Sequence, residues 1–444
     1  MINRLKSMPQ SGLRLWIRAL IFMLPLGLKA QEVKKLSLEQ AISLGLENSK
    51  ALHLSKSRIE VAQAKYQQLR ALQFPQVKAF STYSKYNDVP EFLFPGQTVS
   101  SFPNIPNVYR NGVALVQPVS GGFRARAMLE SGELLAKAVA MDAEKDEAEI
   151  KLNLVATYFN LYKLEESKKL IDENLASTER RLKDVQNLAK NGLAPRNDVL
   201  RAELQVSNMR LAQIDAMNAL QVANFNFGIL LGLPENVKIQ VESATVYVRP
   251  TKTYEEYVQD GIQKRPDHLA AAFRLKTAQN NLKVSRAGYF PVISLNANYL
   301  NANPNPRLIP AQAKWFNTWD FGVSLAYDLT GLFTNKHQLA EAKAQIVQGR
   351  LGLDQTQDQI RMDVNQQYLT YIQQSQKLEV SRQAVAQATE NYRVVKNKYD
   401  NQVALLTEVL DADVLLLQTK LNDAVARADA ELAYQKLLKS TGNF

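Results

Sequence analysis

The sequence predicts a mainly α-helical protein with a small membrane-type β component, built as a duplicated unit of two β-strands plus two long coiled-coil helices. Three observations predict it. A helix–turn–helix stretch occurs twice, as LAKNGLAPRNDVL from Leu188 to Leu200 and as YDNQVALLTEVLD from Tyr399 to Asp411, with Val199 and Val409 separated by 210 positions. Very long helical patterns run into both copies. Two pairs of short segments alternate apolar and polar residues with the period of a strand. Recurrence at a fixed offset is the mark of an internal duplication.

The first thirty residues read as a secretory signal, cleaved after Ala30. Arg4, Lys6, Arg14 and Arg18 precede or flank an apolar run from Ala19 to Leu28, and no acid occurs before Gln31. The run is too short to span a bilayer and has the length of an h-region. The chain carries 54 Lys+Arg against 43 Asp+Glu, a net +11; removing the five bases of the signal leaves +6. That balance, with no basic patch of interleaved aromatics, excludes a nucleic-acid partner. The absence of cysteine excludes disulfides, thiolate metal sites and cysteine nucleophiles. After the signal no stretch of eighteen apolar residues occurs, so an exported chain of this kind is soluble or crosses a membrane as β-strands.

Ser37 with Gln40 forms a capping-box pattern opening a helical stretch to Gln73, broken at Asn48-Ser49 and stopped by Phe74-Pro75. Val77 to Tyr86 reads as a strand, 87–107 as a Pro- and Asn-rich loop, and Gly112 to Val119 as the returning strand. Helical periodicity then holds from Phe123 to Lys190, about 100 Å at ~1.5 Å per residue. Ile171, Leu175, Thr178, Leu182 and Val185 give it a coiled-coil seam, and Leu200, Leu204, Ser207, Leu211 and Ile214 repeat the spacing in the next helix, which ends at Gly232-Leu233-Pro234. The first unit spans 31–234, with its hairpin at 77–119 and helix pair at 123–231.

Residues 235–253 read as a linker. The second unit, 254–444, has its hairpin at 291–329 and helix pair at 334–440. Arg286-Ala287 and Phe290-Pro291 follow Arg70-Ala71 and Phe74-Pro75 by 216, whereas Gly322-Val323 follows Gly112-Val113 by 210, so the second inter-strand loop is six residues shorter. Ile293, Leu295, Ala297 and Tyr299 alternate with Ser294, Asn296 and Asn298, and Phe321, Val323, Leu325, Tyr327 and Leu329 alternate with polar or small residues. Alternation alone fits a soluble sandwich as well as an outer-membrane barrel; the export signal, the two hairpins and the long helices favour the barrel. Trp315 and Trp319 read as preceding the last strand, as interface anchors or as loop packing.

With these elements in place, the chain resembles the TolC family of outer-membrane efflux channels from Ser37 to Phe444. The residues that carry the resemblance are the repeated Phe-Pro before a strand, Asn191-Gly192-Leu193 at the first tip, and Thr407-Glu408-Val409-Leu410-Asp411-Ala412 at the second. The resemblance implies a homotrimer pooling four strands per chain into a twelve-stranded β-barrel in outer-membrane lipid. An α-helical barrel would continue it through the periplasm, with 235–253 in the equatorial region. It implies a passive conduit of a tripartite efflux or type I secretion system, docked at its tips on a periplasmic adaptor protein and, through it, on an inner-membrane transporter of a Gram-negative cell.

By the same resemblance, Glu408 and Asp411 match an acidic gate ring, six carboxylates around a threefold axis, and Tyr399 with Asp198 matches the gate latch. The family's gate arginine aligns with Ala404, which removes one interchain ion pair and leaves locking to other residues such as Arg196. Asn191, Gly192, Leu193 and Ala194, with Asn401, Gln402, Val403 and Ala404, match the adaptor-docking tips. Gly192 accepts a positive φ freely and its counterpart is Gln402, so the tips are expected to differ. Tyr299, Trp315, Trp319 and Tyr327 are the expected membrane-interface aromatics. Read without the resemblance, Glu408 and Asp411 are ordinary solvated helix charges.

His53, His268 and His337 are scattered, with no ligand spacing, and no phosphate loop, nucleophile elbow or catalytic acid pair occurs. No enzyme activity, cofactor or metal is expected. The competing reading is a periplasm-spanning coiled-coil structural protein or adhesin without a channel, which has no use for two duplicated hairpins.

Overall fold

The structure, a computed structural model, describes residues 33–87, 95, 104–121, 123–242 and 252–444. The expected signal segment, loop residues 88–94 and 96–103, and residues 243–251 of the expected linker lie outside the described residues. Strand β1 (Val33–Leu36) leads to α1 (Leu38–Asn48) and α2 (Lys50–Ala71). The Ser37 hydroxyl accepts from the Gln40 N–H and the Gln40 side chain accepts from the Ser37 N–H, a complete capping box. Ser49 breaks the helix and caps the next by accepting from Leu52 N–H.

Strands β2 (Gln76–Lys85) and β3 (Asn107–Ser120) form the first hairpin, followed by α3 (Arg124–Lys190), α4 (Arg196–Leu231) and a short strand β4 (Lys238–Val241). The second half repeats the plan with α5 (Tyr254–Lys264), α6 (Pro266–Ala287), β5 (Val292–Asn303), β6 (Phe316–Ala326), α7 (Gly331–Asp400) and α8 (Leu406–Ser440). The two hairpins make one antiparallel sheet, ordered β2-β3-β5-β6. Its pleat separates two faces. Leu295, Ala297 and Tyr299 lie opposite Val323, Phe321 and Trp319 on one face, while Asn298 donates to Asp320 and Asn296 to Ser324 on the other.

The packed core lies at the waist of the long helices, and it too is duplicated. Leu154, Leu161, Ala223 and Phe227 are buried in the first half, and Val364, Tyr371, Ala433 and Leu437 stand 210 positions later in the second. Close approach there requires glycine. A Cβ on Gly45 would meet Leu154 at 2.5 Å, and one on Gly261 would meet Ile360 at 2.9 Å. Tyr158 is fully buried, its hydroxyl 2.7 Å from the Glu242 carbonyl and 3.2 Å from that of Leu36, and burial pushes its pKa up to about 12. It thereby ties α3 to the ends of β1 and β4.

Several expectations are corrected. The stretch read as a linker contains β4, which pairs in parallel with β1. Strands of four residues are too short to show a period, so neither was visible in sequence. Strand β3 begins at Asn107 rather than Gly112, because Val108 and Tyr109 pair with Ser84 and Tyr83. Trp319 lies inside β6, paired with Tyr299, rather than before it; Trp315 immediately precedes the strand and Tyr327 lies just beyond it. The stripe Leu200, Leu204, Leu211 and Ile214 is exposed at 50, 62, 62 and 58%, and α4 instead buries Ala202 and Val206. A heptad spacing identifies an apolar stripe but not the neighbour that covers it.

The two tips are equivalent in backbone, contrary to the expectation from Gly192 and Gln402. Gly192 has φ 73 and Gln402 has φ 62. Leu193 N–H reaches the Leu188 carbonyl and Val403 N–H the Lys398 carbonyl, each at 2.8 Å, closing the same helix-end motif. Asn191 and Asn401 both donate their side-chain amides back to the carbonyls of Asn187 and Asn397. Left-handed backbone costs a side chain about 1 kcal/mol. Gln402→Gly is therefore expected to stabilise by about 0.5–1 kcal/mol, and Gly192→Gln to destabilise similarly, read as opposite shifts of the thermal midpoint.

A second prediction concerns Glu165 on α3. Its carboxylate accepts from Val241 N–H at 3.4 Å, and burial against the β1–β4 pair raises its pKa from 4.5 to about 7. A carboxyl group raised in the folded state binds protons that the unfolded chain has lost. Its contribution is present below the unfolded value and is lost as pH rises through 7. Glu165→Gln should abolish that loss, worth about 1–2 kcal/mol after solvent screening; melting curves of both proteins at pH 5 and pH 8 check it.

Candidate functional site

Two regions combine exposed, chemically distinctive groups: the helical tips and the faces of the sheet. At the second tip, Glu408 and Asp411 lie one turn apart on α8 and are exposed, while Val409 and Ala412 on the opposite face are buried. Glu408 also has a local task, because its carboxylate accepts from Leu405 N–H at 3.2 Å and so caps its own helix. An acid in this first turn is favoured by the helix dipole. Asp411 projects from the same face one turn further on.

Tyr399, in the last turn of α7, is half-buried, and burial raises its pKa. The Asp198 carboxylate on α4 adds to the rise and the Arg181 guanidinium opposes it. Tyr399 and Asp198 are thus near enough within one chain for charge to act between them. Ala404 is half-buried in the turn, where its N–H donates to the Lys398 carbonyl. Arg196 opens α4 and is exposed.

The end of the molecule is apolar and open. Leu193, Val403 and Leu405 are exposed at 70, 76 and 69%. Asn191, Gly192, Asn401 and Gln402 are exposed beside them, and Ala194 is half-buried.

On the sheet, Trp319, Phe321, Val323 and Leu325 are exposed in a continuous row at 66–75%. Tyr299 lies on the same face. Sequence reasoning missed two aromatics that join Trp315: the Tyr83 and Tyr109 rings are 4.9 Å apart, and Tyr109 is 5.7 Å from Trp315. Extending the period-two reading into residues 107–111 would have found Tyr109. The opposite face carries the Asn298–Asp320 and Asn296–Ser324 pairs, with Arg307 reaching Asp320 from the outer loop. The three histidines fall on α2, α6 and α7, and among the described residues no group of three or more His, Asp or Glu side chains is placed to hold a metal ion. No helix among them is long and apolar enough to cross a membrane.

Comparison with known proteins agrees with this division. The family model described as outer membrane efflux protein matches residues 41–232 and 257–443, one block for each half of the duplication. The chain is 22% identical to the outer membrane efflux protein BepC of Brucella suis, over 74% of this chain and 71% of that protein. It is 23% identical to the toluene efflux pump outer membrane protein TtgC of Pseudomonas putida, over 90% of this chain and 82% of that protein. The outer membrane protein VceC of Vibrio cholerae superposes with a TM-score of 0.78 at 16% identity, covering 91% of this chain and 96% of that one. The relatives are named as outer-membrane transport proteins rather than enzymes. On the family match across both halves, this chain belongs to the outer membrane efflux proteins, the TolC family.

Proposed function

We propose that three copies of this chain pool their sheets into one twelve-stranded barrel, continued by an α-helical barrel, as the passive outer-membrane conduit of a tripartite efflux or type I secretion system. The observation that carries this is the sheet itself: among the described residues β2 and β6 have no strand beyond them, yet the row Trp319, Phe321, Val323, Leu325 is exposed and apolar. An open edge is not tolerated in hydrocarbon, and four strands enclose no lumen. Pairing β6 of one chain with β2 of the next removes every edge. The exposed stripe Leu200, Leu204, Leu211, Ile214 on α4 supports the same assembly, since it needs a neighbouring copy.

In this assembly Tyr83, Tyr109, Trp315, Trp319 and Tyr299 lie at or near the membrane boundary, and the Asn298–Asp320 face lines the water-filled lumen. The export signal at 1–30 carries the chain to the periplasm. Leu193, Val403 and the residues beside them dock a periplasmic adaptor, which connects to an inner-membrane transporter. Glu408 and Asp411 form the acidic ring, and Tyr399 with Asp198 steadies the closed tip.

Two measurements test this reading. Val323→Lys should abolish assembly in the membrane, at about 2–4 kcal/mol for each lysine in hydrocarbon, whereas Ser324→Lys, one residue away on the lumen face, should assemble and conduct. Equal behaviour of the two would remove the barrel. In planar bilayers the purified oligomer should conduct and be blocked by a trivalent cation. Glu408→Ala with Asp411→Ala should raise the blocking concentration at least about tenfold, the effect of 1.4 kcal/mol; unchanged block removes both residues from the ring.

A further inference from the structure

Among the described residues, four ion pairs join the first half of the chain to the second: Lys163–Asp429, Arg181–Asp413, Arg274–Asp142 and Lys283–Glu130. Arg274–Asp142 and Lys283–Glu130 are substantially exposed, and Lys163–Asp429 is part-buried at 23% and 34%. In Arg181–Asp413 the side chains are only 10% and 6% exposed. Removing two charges from water at this depth costs several kcal/mol, and the cost is recovered only where the remaining polar atoms are also satisfied. Here they are. Arg181 Nη1 donates to Asp413 Oδ2 at 3.0 Å and Nη2 to the Tyr392 hydroxyl at 2.8 Å. Asn174 Nδ2 donates to Asp413 Oδ1 at 3.2 Å, and Thr178, itself buried, donates to the Asn174 carbonyl at 2.9 Å.

The cluster joins three of the four long helices at one level: Asn174 and Arg181 on α3, Tyr392 on α7 and Asp413 on α8. Asn174 and Arg181 are one heptad apart and so lie on one stripe of α3. Tyr392 is one heptad, about 10 Å, above Tyr399, and Asp413 is two residues beyond Asp411. Arg181 also bears on Tyr399 through its charge. Apolar side chains would allow α3 to slide against α7 and α8, because one apolar contact replaces another at little cost. A buried arginine held by Asp413 on α8 and Tyr392 on α7 does not, since a shift of one residue strands both charges.

We propose that Arg181 is the positioning residue of the tip: through Asp413 and Tyr392 it clamps the α7–α8 pair onto α3 immediately above the acidic ring. The clamp lies within one chain. Its connection to conduction rests on the gate reading above; the clamp itself does not.

The cysteine-free chain allows a direct test. Spin labels at Leu193→Cys and Val403→Cys report the separation of the two tips, with labelled chains diluted into unlabelled ones so that each oligomer carries one labelled protomer. The unmodified tip should give one narrow distance distribution. Arg181→Met should broaden it toward longer separations well below the melting temperature, and raise the fraction of time open at least roughly tenfold. Arg181→Lys, which supplies charge without the fork, should restore it in part. If Arg181→Met does not fold, Tyr392→Phe and Asp413→Asn are read instead, and each should broaden the distribution. An unchanged distribution in the folded variants overturns the clamp, whatever the conductance does. A broadened distribution with unchanged conductance supports the clamp and overturns the gate reading.

Discussion

Backbone hydrogen bonding in hydrocarbon is the constraint on which the outer end of this chain depends. Every N–H and C=O of a strand in lipid must be paired, because no water is present to receive it. The sheet β2-β3-β5-β6 meets that demand between its strands and fails it along two edges. Its apolar row, from Trp319 to Leu325, makes exposure to water unfavourable as well. The proposed closure with further copies would answer both problems at once. The short strands β1 and β4 show the contrasting solution at the waist. There the Asn224 amide pairs with both backbone groups of Ile239, Glu165 receives Val241 N–H, and Tyr158 holds the strand ends.

The duplication solves one packing problem twice. A glycine on a short helix admits a branched side chain of a long one, Gly45 with Leu154 and Gly261 with Ile360, the two glycines standing 216 positions apart. At the tips the same backbone is imposed on Gly192 and on Gln402, so tertiary geometry overrides local preference in the second copy. The halves diverge in their side chains instead. Pro195 and Arg196 open α4, whereas Leu405 and Leu406 open α8, and only the second tip carries two acids on one face.

That divergence bears on the gate. Glu408 is held by its own helix end, so its orientation is set before any partner arrives. Asp411 has no such restraint on the same face. Preorganisation of this kind would suit the proposed acidic ring, since little side-chain entropy would remain to be lost. The buried Arg181–Asp413 pair acts one level higher, on the helices that carry these acids rather than on the acids themselves.

Local regularities were legible in the sequence alone. The capping box at Ser37, the stop at Phe74-Pro75, the paired tips and the alternating strands each depend on residues within a few positions of one another. The family resemblance extended those elements to a candidate site. What sequence left open were the contacts between residues far apart in the chain. The apolar stripe of α4 was visible, but not that it faces outward while Ala202 and Val206 face α3. The four-residue strands were invisible because their partner lies some two hundred positions away. Nothing in the sequence sets Arg181 apart, and only the folding of α3 against α7 and α8 buries it beside Asp413, 232 residues on. Periodicity and caps are properties of one segment; which segment covers which is decided by the summed packing of the whole chain.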